Sequence, residues 1–170
     1  MPDSKGALYF DTVTLSNFAL AGSIPLLVSR YGRRLHLTSA VLDEVLDGLV
    51  AGYPALAEIE VALQSGKFRL ASPLTGIERQ RYRELLRTMA PGEAACIACA
   101  KERGGIVVTD DRVARKCCSE RNLRFTGTVG ILKASCRDGT LSPDRADALL
   151  SAMIKAGYHS PVHRISDLLG

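Results

Sequence analysis

GGIVVTDDRVARKC, residues 104–117, decides the fold. Two glycines precede a β-branched run, Ile106 to Thr109, that reads as a buried strand over 104–109. The run stops at Asp110 and Asp111, and a helix follows to about Glu120. Asp is a preferred residue at a helix N-terminus. An apolar strand that turns directly into a helix is the unit from which a parallel sheet covered by helices is built.

The same unit opens the chain. In ALYFDTVTLSNFAL, residues 7–20, a strand over 7–10 ends at Asp11 and an apolar segment follows with Asn17 inside it. Helices are expected over 13–21 and 23–31, broken at Gly22 and Pro25. RLHLT, 34–38, alternates as a second strand. Beyond it, Val41, Leu42, Val45, Leu46 and Leu49 form one helical stripe. Further helices are expected over 55–64, 76–89, 93–101 and up to 136, with strands over 67–72 and 122–127. Pro143 starts a last amphipathic helix to about 156. The expected fold is α/β, a three-layer α/β/α sandwich around a short, mostly parallel sheet. Residues 1–170 read as one domain, with a core over about 7–137 and a helical extension over 142–170.

Composition narrows the function classes. Tryptophan is absent and the net charge is +4, which is compatible with a polyanionic partner without requiring one. Five cysteines, an odd number with Cys117 and Cys118 adjacent, fit reduced thiols better than a disulfide framework. Cys96 and Cys99 lack the second spaced pair of a zinc site and read as small core residues. MPDSKGALYF has no leader pattern and no run reaches the roughly 18 apolar residues of a membrane span. The expectation is a cytoplasmic protein without a membrane partner. No phosphate-binding glycine-lysine loop is present, which disfavours an NTPase.

The acids at the strand ends carry the chemistry. Ligands of open α/β sheets bind beyond the carboxyl ends of the strands. Asp11 ends one strand, and Asp110 and Asp111 end another, so distant parts of the chain bring carboxylates to one edge. Close carboxylates repel unless a cation lies between them, and hard oxygen donors suit Mg²⁺ or Mn²⁺. Glu44, at the flank of its helix, and Glu93, at a helix start after Pro91–Gly92, are candidates to join them. Each has a plainer reading as well. Asp11, Asp110 or Asp111 can serve as a helix cap, and Glu93 suits a first helical turn by charge alone.

The order of these motifs resembles the PIN domain, the nuclease fold of VapC-like toxins in bacterial toxin–antitoxin pairs. The likeness rests on Asp11-Thr12 after a strand, Glu44 in TSAVLDEVLDG, Glu93 in PGEAACIACA, GGIVVTDDRVARKC and RFTGTVGILKAS. It implies divalent-metal-dependent cleavage of RNA by a homodimer held in check by a small antitoxin protein. By that resemblance Asp11, Glu44, Glu93 and Asp111 are the catalytic acids, with Asp110 a neighbouring candidate. Asp11, Glu93 and Asp111 would hold Mg²⁺ or Mn²⁺. Glu93 falls where many members carry aspartate. Thr12 and Thr109 would orient the ligands, and Arg112, Arg115 and Lys116 would bind RNA phosphates. The alternative is a catalytically inactive PIN-like module that binds nucleic acid or protein. Apolar side chains of the early helices, Leu20, Ile24, Leu26, Leu27 and Val28, offer a dimer face.

Overall fold

Among the described residues five parallel strands form the sheet: β1 (Leu8–Phe10), β2 (Leu35–Leu37), β3 (Arg69–Leu70), β4 (Ile106–Val108) and β5 (Arg124–Thr126), in the order β3-β2-β1-β4-β5. This is a computed structural model, and it describes residues 6–170; the leader reading of the first residues therefore lies largely outside it. Helices fill the connections: α1 (Thr12–Leu20), α2 (Ile24–Tyr31), α3 (Ser39–Val50), α4 (Ala57–Gln64), α5 (Gly76–Leu85), α6 (Pro91–Arg103), α7 (Arg112–Glu120), α8 (Thr128–Arg137) and α9 (Pro143–Lys155). Among the described residues no single helix is long and apolar enough to cross a membrane.

The chain order sets the layers. From β1 it steps outward to β2 and β3, then returns past β1 to β4 and β5. Right-handed crossovers in opposite directions put helices on opposite faces. Helix α1 packs with α2, α4, α8 and α9, while α6 packs with α5 and α7; α3 touches both α1 and α6. The sandwich expected from the sequence is therefore observed. The direction of the crossovers reverses at β1 and β4, and such a switch point leaves a crevice at the carboxyl edge.

The strands are shorter than their sequence patterns. β4 begins only at Ile106, because Gly104 and Gly105 hold positive φ angles of 73° and 133°. A Cβ on Gly105 would sit 2.6 Å from the carbonyl oxygen of Ala7, so a side chain there would push β1 and β4 apart. The core fills both sides of the sheet with Phe10, Phe18, Leu35, Leu37, Ile97, Val107 and Leu132, among others. Cys96, Cys99, Cys117 and Cys118 are buried, as small core residues. Leu150, Met153 and Ile165, from the C-terminal extension, join the same core. Asp147 fastens the final turn by accepting from the backbone N–H groups of Ile165 and Ser166 at 2.6 and 3.0 Å.

One buried ion pair ties the second layer to the sheet. Thr75 and Glu78 form a reciprocal capping box at the start of α5. Glu78, only 1 % exposed, also accepts from Nε and Nη2 of Arg103, at the end of α6, at 2.7 and 2.8 Å. The same guanidinium donates to Ser72 Oγ and to the carbonyls of Ser72 and Pro73. The paired arginine, helped by the Thr75 amide, holds the Glu78 carboxyl down at about 2. A depressed carboxyl contributes its full stability above its unfolded value and loses it as pH falls through the folded one. Between about pH 4.5 and 2 this group gives up about 3 kcal/mol. Asp138 and Asp147, also held down at about 2, titrate in the same window. Glu78→Gln should flatten the acid limb of a denaturation-versus-pH curve by one group's share. Arg103→Ala should cost about 3–5 kcal/mol at neutral pH, because it strands a buried carboxylate.

Candidate functional site

Where β1 ends, the backbone N–H of Asp11 donates to Val108 at 2.9 Å, so the ends of β1 and β4 stay in register. Asp11 then caps α1, its Oδ1 accepting from the Thr14 amide at 2.8 Å. Its Oδ2 accepts from Thr109 Oγ at 2.5 Å. Thr109 Oγ in turn accepts from the Asp111 amide at 3.1 Å. One hydroxyl thus joins the two strand ends. Asp11 is 1 % exposed; burial pushes its carboxyl up to about 6, against the opposing pull of the hydrogen bonds from Thr109 and Thr14.

Glu44 reaches out from α3 to two helix starts. Thr12 Oγ donates to its Oε2, and the Gly92 amide donates to its Oε1 at 2.8 Å. A Cβ at position 92 would lie 2.7 Å from Oε2, so glycine gives the carboxylate its place at the start of α6. Glu93 follows, half-buried. Burial, and then the charges of Asp11, Asp111 and Glu44, push its carboxyl up to about 7. Asp111 is exposed and caps α7 through a 2.8 Å bond from the Ala114 amide. Asp11, Glu44, Glu93 and Asp111 therefore face one another electrostatically at the carboxyl ends of β1 and β4. The starts of α1, α6 and α7 meet there too, and helix N-termini favour negative charge.

Asp110 adjoins that group, with Thr14 bridging it to Asp11 and its charge helping to raise the Asp11 carboxyl, but most of its bonds run elsewhere. It accepts from the Thr128 amide at 3.0 Å, Thr128 Oγ at 2.5 Å, Thr14 Oγ at 3.2 Å, Asn17 Nδ2 at 3.4 Å and Tyr158 Oη at 3.3 Å. It is the knot that fixes α1, α8 and the C-terminal extension to the end of β4. Burial and the Asp110 charge raise the Tyr158 phenol. The sequence reading missed these partners. The one signal was Asn17, a polar side chain inside an apolar helix, which requires a buried partner.

The cations divide as well. Arg115 folds back, its Nε donating to the Thr109 carbonyl at 2.8 Å and its guanidinium lying 5.4 Å from the Phe125 ring centre. Arg112 and Lys116 are exposed on α7, with Lys116 3.9 Å from Glu120. Among the described residues no three His, Cys, Asp or Glu side chains close on one point as a metal-holding group. The donor set nonetheless suits a hard divalent cation: carboxylate oxygens only, crowded enough to raise one another's pKa.

A family model described as a PIN domain matches residues 8–170. No curated protein matches the chain.

The two adjacent aspartates separate by experiment. Asp110→Ala takes the acceptor from Thr128, Thr14 and Tyr158, leaving Asn17 only its bond to Thr128, and should cost about 3 kcal/mol in urea denaturation. Asp111→Ala removes one exposed cap and should cost about 1 kcal/mol. Equal losses would mean that Asp110 is not the structural knot.

Proposed function

The chain belongs to the PIN-domain family, a nuclease fold, and from that premise we propose that it is a divalent-metal-dependent endoribonuclease and the toxin of a toxin–antitoxin pair. The observation that carries this reading is the group Asp11, Glu44, Glu93 and Asp111 at the sheet's switch point, where Glu93 is pushed up to about 7 by burial and by the other three acids. Such crowding is relieved by a cation.

In this reading Asp11, Glu93 and Asp111 hold Mg²⁺ or Mn²⁺. The cation supplies Lewis-acid stabilisation to a phosphodiester attacked by water. Thr109 fixes the Asp11 carboxylate through its 2.5 Å hydrogen bond and the Asp111 backbone through the next one. Thr12 and the Gly92 amide hold Glu44 against the start of α6, where its charge adds to the anionic pocket. Arg112 and Lys116, exposed beside Asp111, draw RNA phosphates past the acids without reading sequence. Arg115 acts from behind, bracing the end of β4.

The partners of this reading are RNA, a second copy of the chain and a small antitoxin protein. For the homodimer, support comes from a hollow of about 410 Å³ between α2 and α4, where Pro25, Val28, Ala57 and Val61 are among the lining residues. Of the early-helix side chains expected to supply this face, Ile24 and Leu27 are instead buried in the chain's own core. A second reading, an inactive binding module, is favoured by one observation: each of Asp11, Glu44 and Asp111 already accepts a hydrogen bond from the chain.

Cleavage of a mixed RNA pool with Mg²⁺ or Mn²⁺, and with EDTA, decides between them. Wild type should cleave only with metal. Asp11→Asn should lose roughly a hundredfold or more while melting within a few degrees of wild type. A folded wild type that is inert with both metals favours the binding module. Asp11→Asn cleaving as well as wild type would overturn the site assignment. Sedimentation tests the dimer: Val61→Glu should convert a dimer to monomer, and a wild-type monomer at micromolar concentration would refute it.

A further inference from the structure

A second concavity, of about 250 Å³, opens beside the acid group and is lined by side chains that the mechanism above does not use. It lies at the ends of β2 and β3, so its near wall starts one strand width, about 4.8 Å, along the carboxyl edge from Asp11. Pro73, Leu74 and the Tyr82 ring give it apolar surface over a floor of buried Ala95 and Cys99, while Ser39 and Asp43 line it from α3. The two sites draw on the same helices without sharing side chains: Asp43 and Glu44 leave α3 in different directions, as Ala95 and Glu93 leave α6.

We propose that this hollow is a nucleobase subsite of the RNA-cleaving site and that the base it takes is guanine; the proposal rests on the nuclease reading above. Size comes first. The hollow is smaller than the roughly 300–1,000 Å³ of pockets for drug-sized ligands, so it suits one flat ring system. Its apolar surface serves the face of a base. The edge is read by polar groups. Among the described residues, neither the Asp43 carboxylate nor the Tyr82 hydroxyl has a hydrogen-bond partner. A carboxylate offers two acceptors and no donor. Guanine presents two adjacent donors, its N1–H and amino group, to match them, and its O6 accepts from a hydroxyl such as Ser39 or Tyr82. Adenine and cytosine place a ring-nitrogen acceptor beside their single amino donor, so one carboxylate oxygen would meet a lone pair. Uracil has one N–H between two carbonyls.

The wall is set before any ligand arrives. Arg103, paired with Glu78, donates to Ser72 Oγ at 2.9 Å and to the carbonyls of Ser72 and Pro73 at 3.0 and 3.1 Å. Ser72 and Pro73 line the hollow. A wall held in place loses less freedom on binding.

The test separates the subsite from the chemistry. The folded chain, ¹⁵N-labelled and in EDTA, is titrated with GMP, AMP, CMP and UMP. GMP should move the amide resonances of Ser39, Ala95 and Cys99, with the other three nucleotides about tenfold weaker or more. Asp43→Ala, at an exposed position that leaves the fold intact, should bring GMP down to their level, and Tyr82→Phe should weaken GMP less. With Mg²⁺, wild type should prefer guanine at one fixed position from the cut, and Asp43→Ala should lose that preference. No response to any nucleotide, equal responses to all four, or cleavage without base preference would each overturn the subsite. Selective GMP binding by a chain that cleaves no RNA would uphold the subsite and refute the nuclease reading.

Discussion

The Thr109 hydroxyl is the point on which the site depends. It donates to Asp11 and accepts from the Asp111 amide, so the ends of the two central strands share a single oxygen. Without it, Asp11 would be a buried carboxylate with only a backbone cap, and the turn that presents Asp111 would lose its anchor. Burial of an anion is costly unless hydrogen bonds compensate. Here they compensate in part, and the Asp11 carboxyl remains raised to about 6. The fold tolerates that cost where the crossovers reverse, which is where an α/β sheet can accept a ligand.

Two aspartates side by side have taken opposite tasks. Asp111 spends one oxygen on capping α7 and stays exposed toward the acid group. Asp110 turns to α1, α8 and the C-terminal extension, which together surround it with five donors. In a turn directly after a strand, successive residues leave the sheet in different directions, so adjacency in sequence gives no shared role. The same logic parts Arg115, which braces the end of β4, from Arg112 and Lys116, which stay in solvent.

The layers and the meeting of Asp11, Glu44, Glu93 and Asp111 were legible because they follow from strand–acid–helix patterns and parallel crossovers. Glu44 was legible only as a flank residue; its bond to the Gly92 amide depends on how α3 and α6 pack, which no local pattern encodes. The Asp110 knot was hidden for the same reason. Its donors lie 18 to 96 residues away in the chain. Ile24 and Leu27 looked like surplus apolar surface because α2 reads as amphipathic, whereas its second face meets the chain's own core. The start of β4 was overrun because the positive φ angles of Gly104 and Gly105, which residue preference does not reveal, stop the pairing there.

The distance along the chain between the bonded parts of the site has a consequence for how the chain folds. Asp11 waits for Thr109, 98 residues later, and Asp110 waits for Tyr158, a further 48 residues on. Until those distant segments have docked, the first strand end has its carboxylate but not the partners that fix it. The site is therefore closed by contacts of high sequence separation, whose loop-closure entropy must be met before they reward the chain, so the meeting of the two strand ends belongs to the slow, non-local part of folding.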